Sequence, residues 1–130
     1  MKILDSENNL IAIVSKFEDF KNGKQFVTSK ESQFQIGLFN LKKDLEIQKH
    51  IHPENLREVY KTCETIVLIE GSLKINLYDD TKKFLNTITL LKGDSITLFS
   101  GGHGILLKED SKFIEIKQGP YSAEIDKIRF

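Results

Sequence analysis

His50 and His52 stand two residues apart in the stretch 45–52. Successive side chains on a β-strand alternate between faces, so residues two apart share one face. Two imidazoles aimed from one face at one point have the geometry of metal ligands. A carboxylate and a third imidazole from other strands would complete a mixed set suited to one divalent transition metal: zinc, iron, manganese, nickel or copper. Glu64, with six residues between it and Gly71, and His103, directly after Gly101-Gly102, are placed to supply them. Glu54 and Glu58 compete for the acidic position. Glu64 is preferred because of that gap and because it opens the apolar run Thr65-Ile66-Val67-Leu68-Ile69, which reads as a buried strand.

The elements that must position these residues read as strands separated by turns. Apolar or alternating segments cover 10–14, 33–41, 45–52, 65–70, 73–78, 84–91, 95–99, 104–107 and 112–117. Gly71-Ser72, Asp79-Asp80, Lys92-Gly93-Asp94, Ser100-Gly101-Gly102 and Glu109-Asp110-Ser111 punctuate them. Short helical turns are expected at 17–23 and 53–58. Alternation places Glu46, Gln48, His50 and His52 on one face, Glu64 with Ile66 and Leu68, and His103 with Ile105 and Leu107. Polar residues at the ends of apolar stripes suggest a site toward one end of an apolar interior, as small-molecule pockets commonly are.

The run Asp44-x5-His50-x-His52-x11-Glu64-x6-Gly71, followed by Gly93-Asp94 and Gly101-Gly102-His103, resembles the two signature motifs of the cupins, Gly-x5-His-x-His-x3,4-Glu-x6-Gly and Gly-x5-Pro-x-Gly-x2-His-x3-Asn. The resemblance spans roughly residues 36–118. It departs from the pattern at Asp44, at the long gap 53–63, at Phe99 in the proline position, at the early His103 and at the missing terminal Asn. It implies an all-β chain, a cupin-type double-stranded β-helix or jelly-roll-like barrel, with His50, His52, Glu64 and His103 on one metal. The ending Glu115-Ile116-Lys117-Gln118-Gly119-Pro120-Tyr121 is similar to that of short cupins associated with bacterial polysaccharide and unusual-sugar biosynthesis. Arg57 and Tyr78, with Lys117 and Tyr121, are candidates to surround the ligands.

Length and charge fit a single domain over residues 1–130, with nineteen Lys and Arg balancing nineteen Asp and Glu. No net field or charged run favours nucleic acid or a membrane surface as partner. No apolar segment approaches a membrane span, and the first residues lack a signal-peptide core. A single cysteine, Cys63, allows no intrachain disulfide, and a cytoplasmic location is expected. Apolar strand at 10–14 and 34–41 suggests a homodimer. The function these features favour is a metal-dependent enzyme on a small-molecule ligand, with sugar isomerase or epimerase chemistry ahead of an iron-dependent dioxygenase. A non-catalytic metabolite- or sugar-binding module is the other class.

Overall fold

The computed structural model describes residues 1–122 and 126–130. Among the described residues the chain forms β1 (Lys2–Leu4), β2 (Leu10–Ser15), a 3-10 turn (Phe17–Asp19), β3 (Gly23–Phe26), β4 (Gly37–Asn40), β5 (Glu64–Glu70), β6 (Ser72–Tyr78), β7 (Phe84–Leu91), β8 (Ser95–Leu98), β9 (Gly102–Leu107) and β10 (Lys112–Lys117). The contacts group these into two compact units: Met1–Phe17 with Lys61–Phe130, and Glu18–Tyr60.

The first unit holds two antiparallel sheets, in the orders β1-β2-β8-β5-β10 and β7-β6-β9. Their facing side chains make one hydrophobic cluster that joins Val14, Ile66, Leu68, Ile96 and Leu98 of one sheet to Leu73, Ile75, Leu77, Ile88 and Leu90 of the other. Each fully buried Leu or Ile contributes about 1.5–3 kcal/mol, so this cluster is the main reason the sheets stay together. The chain changes sheet between β5 and β6, β7 and β8, β8 and β9, and β9 and β10.

Local chemistry sets the turns. Asp79 closes the β6–β7 hairpin, its Oδ1 accepting from the Thr81 amide, the Thr81 hydroxyl and the Lys83 amide. Asp94, buried after β7, accepts from the amides of Leu91 and Phe17 and from Lys16 Nζ at 2.7 Å. Burial would raise its pKa, but Lys16 and those amides hold it below the ordinary value. Gly71, between β5 and β6, sits at φ +92°, and a Cβ there would strike Ser111 and the Asp110 carbonyl. The turn needs glycine twice over.

The second unit contains the two-stranded sheet of β3 and β4, paired from Gly23↔Asn40 to Phe26↔Gly37. The Phe26 and Phe39 rings meet edge to face, with centroids 6.0 Å apart. Asp44 takes φ 66°, the left-handed conformation in which Asp stands in for glycine.

The all-β expectation is met, but five features differ from the sequence reading. The sheets are open rather than closed into a barrel, because β9 and β10 each have a neighbour on one side only. Residues 45–52 form no strand and are exposed throughout, since alternation alone does not hold a strand without a hydrogen-bonded neighbour. Residues 53–58 form no helical turn, whereas the 17–23 turn is realised as Phe17–Asp19. The 33–41 strand shortens to Gly37–Asn40, while β1 and β3 are strands the pattern did not mark.

Candidate functional site

Glu64 begins β5 and pairs with Leu98 of β8 on one side and Lys117 of β10 on the other. Side chains of directly paired residues share a face. Leu98 and the alternate β5 residues Ile66 and Leu68 are buried, so that face is the interior one. From the opposite sheet, His103 pairs with Leu77, Ile105 with Ile75 and Leu107 with Leu73, and all three β6 partners are fully buried. His103 therefore also points inward. The two sheets meet at this end of the first unit with His103 Nε2 3.5 Å from Glu64 Oε1.

The loop ahead of His103 is held by its neighbours. Gly101 sits at φ +73°, and a Cβ there would collide with the Tyr78 carbonyl oxygen. Its amide donates to Asp80 Oδ1 at 2.9 Å, and Asp80 Oδ2 receives Lys61 Nζ at 2.8 Å. On the other wall, Gln118 Oε1 accepts from the Cys63 amide at 2.6 Å, tying the end of β10 to the residue before Glu64. Lys117 Nζ lies 2.6 Å from Glu115 Oε1 and 5.0 Å from the Tyr121 ring centroid.

The electrostatics follow from these neighbours. The hydrogen bond from His103 does most to hold the Glu64 carboxyl below its ordinary value; burial opposes it, and the charges of His103, Lys117 and Lys127 add to the lowering. Glu64 is therefore a carboxylate near neutral pH although its residue is only 8% exposed. The Lys117 ammonium is held above its ordinary value, chiefly by Glu115. Burial raises the Cys63 thiol, so nothing in its surroundings activates it as a nucleophile.

Glu64, His103, Leu98, Lys117, Tyr121 and Lys127 line a cavity of about 120 Å³. It adjoins a wider groove of about 740 Å³ that also reaches Tyr78, Gly102, Ile105 and Phe130. The Phe130 ring stands edge-on to Tyr78 with centroids 5.2 Å apart, over Gly102, where a Cβ would come within 2.7 Å of it.

No protein family, curated protein or solved structure matches this chain.

Of the residues singled out in the sequence, Glu64, His103, Lys117 and Tyr121 come together at one cavity, and Tyr78 lines the adjoining groove. His50 and His52 lie in the Glu18–Tyr60 unit with ring centroids 5.1 Å apart, edge to face, and His50 Nδ1 is 2.9 Å from the Gln48 carbonyl oxygen. Arg57 is in the same unit, beside a pocket it shares with Lys30, Gln33 and Glu58. Among the described residues no three His, Cys, Asp or Glu side chains are gathered as a metal cage. The donor chemistry of the Glu64–His103 pair, one ionised carboxylate and one imidazole facing a common cavity, fits two ligands of a divalent transition metal.

Sequence reasoning missed Asp80, Gln118 and Lys127 as parts of this site. Asp80 had a usable signal, a second acidic residue directly after the turn-closing Asp79. The roles of Gln118 and Lys127 depend on long-range placement that spacing alone does not encode.

Proposed function

We propose that this chain is a metal-binding protein of the cupin type that acts on a small metabolite, with Glu64 and His103 as two ligands of one divalent transition metal and His50 and His52 as the others. The observation that carries this reading is the inward-facing Glu64–His103 pair, 3.5 Å apart at the end of an apolar interior. The winding of the chain, which changes sheet at four of the five connections from β5 to β10, supports the double-stranded β-helix part of the proposal. So do Gly71 and Gly101, whose positive φ fits the glycines of the resembled motifs.

An ion held there would supply Lewis acidity, polarising a carbonyl or hydroxyl oxygen of the ligand. The chain's own residues supply the rest. Glu64, kept ionised by His103, fixes negative charge in a half-enclosed cavity; Leu98 forms apolar wall; Lys117 and Tyr121 present polar groups toward the bound molecule. This combination suits a polar metabolite, and sugar isomerase or epimerase chemistry is the reaction class we favour. The same proposal includes a cytoplasmic location and a homodimer. Among the described residues no helix is long and apolar enough to cross a membrane. The edge strand β10 leaves Ile114 and Ile116 about half exposed, apolar surface that a second copy would cover.

The test is elemental analysis of protein purified without chelator or affinity tag, on the parent and on Glu64→Gln, His103→Ala and His50→Ala. Near-stoichiometric metal in the parent and loss in each variant, with folding retained by circular dichroism, is the expected result. Retention in His50→Ala with loss in the other two would remove His50 from the ligand set. A parent protein that binds no metal when offered each of the candidate ions would overturn the reading. Light scattering that gives a mass near 14.9 kDa would remove the dimer.

A further inference from the structure

Residues 126–130 reach the Glu64–His103 cavity from outside the two sheets. Asp126 and Lys127 line both that cavity and the wider groove beside it, so they stand between the two spaces. The other described residues common to both walls, Glu64, Gly101 and His103, belong to β5, to the loop before β9 and to β9 itself. At about 120 Å³ the cavity is smaller than the roughly 300 Å³ at which small-molecule pockets begin. A metabolite that enters it to reach Glu64 and His103 needs the Asp126–Lys127 wall to yield.

This segment is fastened at both ends and exposed between them. At its root, the Asp126 amide donates to the Ser122 carbonyl oxygen at 3.0 Å, and the Asp126 carboxylate accepts from the Ser122 amide. At its tip, the Phe130 ring meets Tyr78 edge-on with centroids 5.2 Å apart, and Lys82 Nζ lies 5.4 Å from the Phe130 centroid. Gly102 completes the seat: a Cβ there would come within 2.7 Å of Phe130 Cζ, whereas at Gly104, on the same face of β9, it would meet nothing. Ile128, between root and tip, is 82% exposed and outside the core cluster, as in segments that open locally while the sheets stay folded. His103 points inward, so its neighbour Gly102 and the Phe130 ring lie on the opposite face of β9. The ring thus holds the segment down without itself covering the imidazole.

We propose that residues 126–130 are a strap over the Glu64–His103 cavity, latched by Phe130 on the Tyr78–Gly102 seat, and that release of the latch joins the cavity to the groove and admits the small molecule. The strap controls access to the site proposed above and rests on that site for its purpose, whereas the latch itself depends only on the contacts of Phe130. An edge-to-face aromatic pair and an exposed cation–π contact each shift a two-state balance by roughly two- to tenfold. The latch is therefore strong enough to favour the closed strap and weak enough for a ligand to displace it.

Carbethoxylation of the full chain by diethyl pyrocarbonate, with chelator present and each histidine resolved by mass spectrometry, tests this. His50 and His52, in the exposed 45–52 stretch, serve as references within every sample. Phe130→Ala removes the latch and Gly102→Ala pushes the ring off its seat. Each should raise the rate at His103 about two- to tenfold and leave His50 and His52 unchanged. Gly104→Ala, whose Cβ meets nothing, should match the parent at every histidine. If Gly102→Ala fails to fold by circular dichroism, Phe130→Ala alone decides, since Phe130 is 63% exposed and outside the core. An unchanged rate at His103, or a rise shared equally by His50 and His52, overturns the inference. Because chelator takes any ion out of the measurement, a latch without metal and a metal without latch are separate results.

Discussion

Residues 84–91 and 45–52 both alternate apolar with polar side chains, and only the first stretch is a strand. The difference lies in what each has beside it. β7 follows β6 across a turn that Asp79 closes with three hydrogen bonds, so its backbone groups find partners from Ser72↔Leu91 to Tyr78↔Phe84. Its inward side chains Ile88 and Leu90 then reach a core already formed by Leu73 and Ile75. The 45–52 stretch begins after the Lys43-Asp44 turn, and Leu45, Ile47 and Ile51 are 54%, 50% and 86% exposed. A period-2 pattern thus becomes a strand where a turn delivers a pairing edge and a shared core gives its apolar face a destination.

The sharpest test of that contrast is side-chain truncation. Leu73→Ala removes a fully buried side chain from the cluster between the two sheets and should cost about 2–5 kcal/mol. Ile51→Ala should stay within about 0.5 kcal/mol, as exposed substitutions usually do. Urea denaturation read by far-ultraviolet circular dichroism compares them directly. A loss from Ile51→Ala as large as that from Leu73→Ala would mean that the 45–52 stretch is buried in the protein in solution.

Backbone geometry gives a second contrast of the same kind. Gly101→Ala must place a Cβ at φ +73° against the Tyr78 carbonyl oxygen, and Gly23→Ala must do so at φ +98° with nothing within 4 Å. Left-handed strain of about 1–2 kcal/mol applies to both, and the steric clash adds to it only at Gly101. The expected order in thermal melts is therefore Gly101→Ala well below Gly23→Ala. Because Gly101 carries the loop that leads to His103, its variant should also reduce whatever binding the Glu64–His103 cavity performs. Equal melting temperatures would show that the loop yields more easily than its contacts suggest.

Much of the first unit was legible in the sequence for the reason these contrasts expose. Segments 84–91 and 112–117 coincide with β7 and β10 because turn residues bound each of them sharply. Glu64 was placed on the face of Ile66 and Leu68 by period alone, and His103 on that of Ile105, and pairing confirms both. Alternation could not show that the two faces oppose each other, nor that Lys127 returns to the same cavity, since both depend on sheet order. β1 and β3 went unread because Lys2–Leu4 and Gly23–Phe26 are too short for a period to register.

Acid sensitivity should distinguish the two regions more gently. Glu64 has its pKa lowered from an ordinary value of 4.5 in the folded chain, mainly by its bond to His103. A depressed carboxyl contributes stability that is fully present above about pH 4.5 and is lost as pH falls through the lower folded value. Glu64→Gln should therefore weaken the chain at neutral pH and lose part of the parent's decline below pH 4.5, so that the two stabilities converge in acid. Asp5, Asp79, Asp80 and Asp94, also held low, continue to titrate in the variant and together set the remaining slope. Parallel pH–stability curves would show that Glu64 gains nothing from His103.

The smallest effect expected is at Asp44, which occupies the left-handed region at φ 66° just before the 45–52 stretch. Glycine fits that backbone without strain but adds freedom to the unfolded chain, and these contributions oppose each other at about 0.5–1 kcal/mol each. Asp44→Gly should therefore leave the urea midpoint nearly unchanged. Asp44→Val places a β-branched side chain where φ is positive, which has no such compensation, and should cost about 1–2 kcal/mol or release the turn. If the turn is what directs residues 45–52, the valine variant should also make that stretch more readily cleaved at Lys49 by trypsin, while β5 to β10 keep their protection. Unchanged cleavage at Lys49 together with an unchanged midpoint would show that Asp44 directs nothing beyond its own backbone.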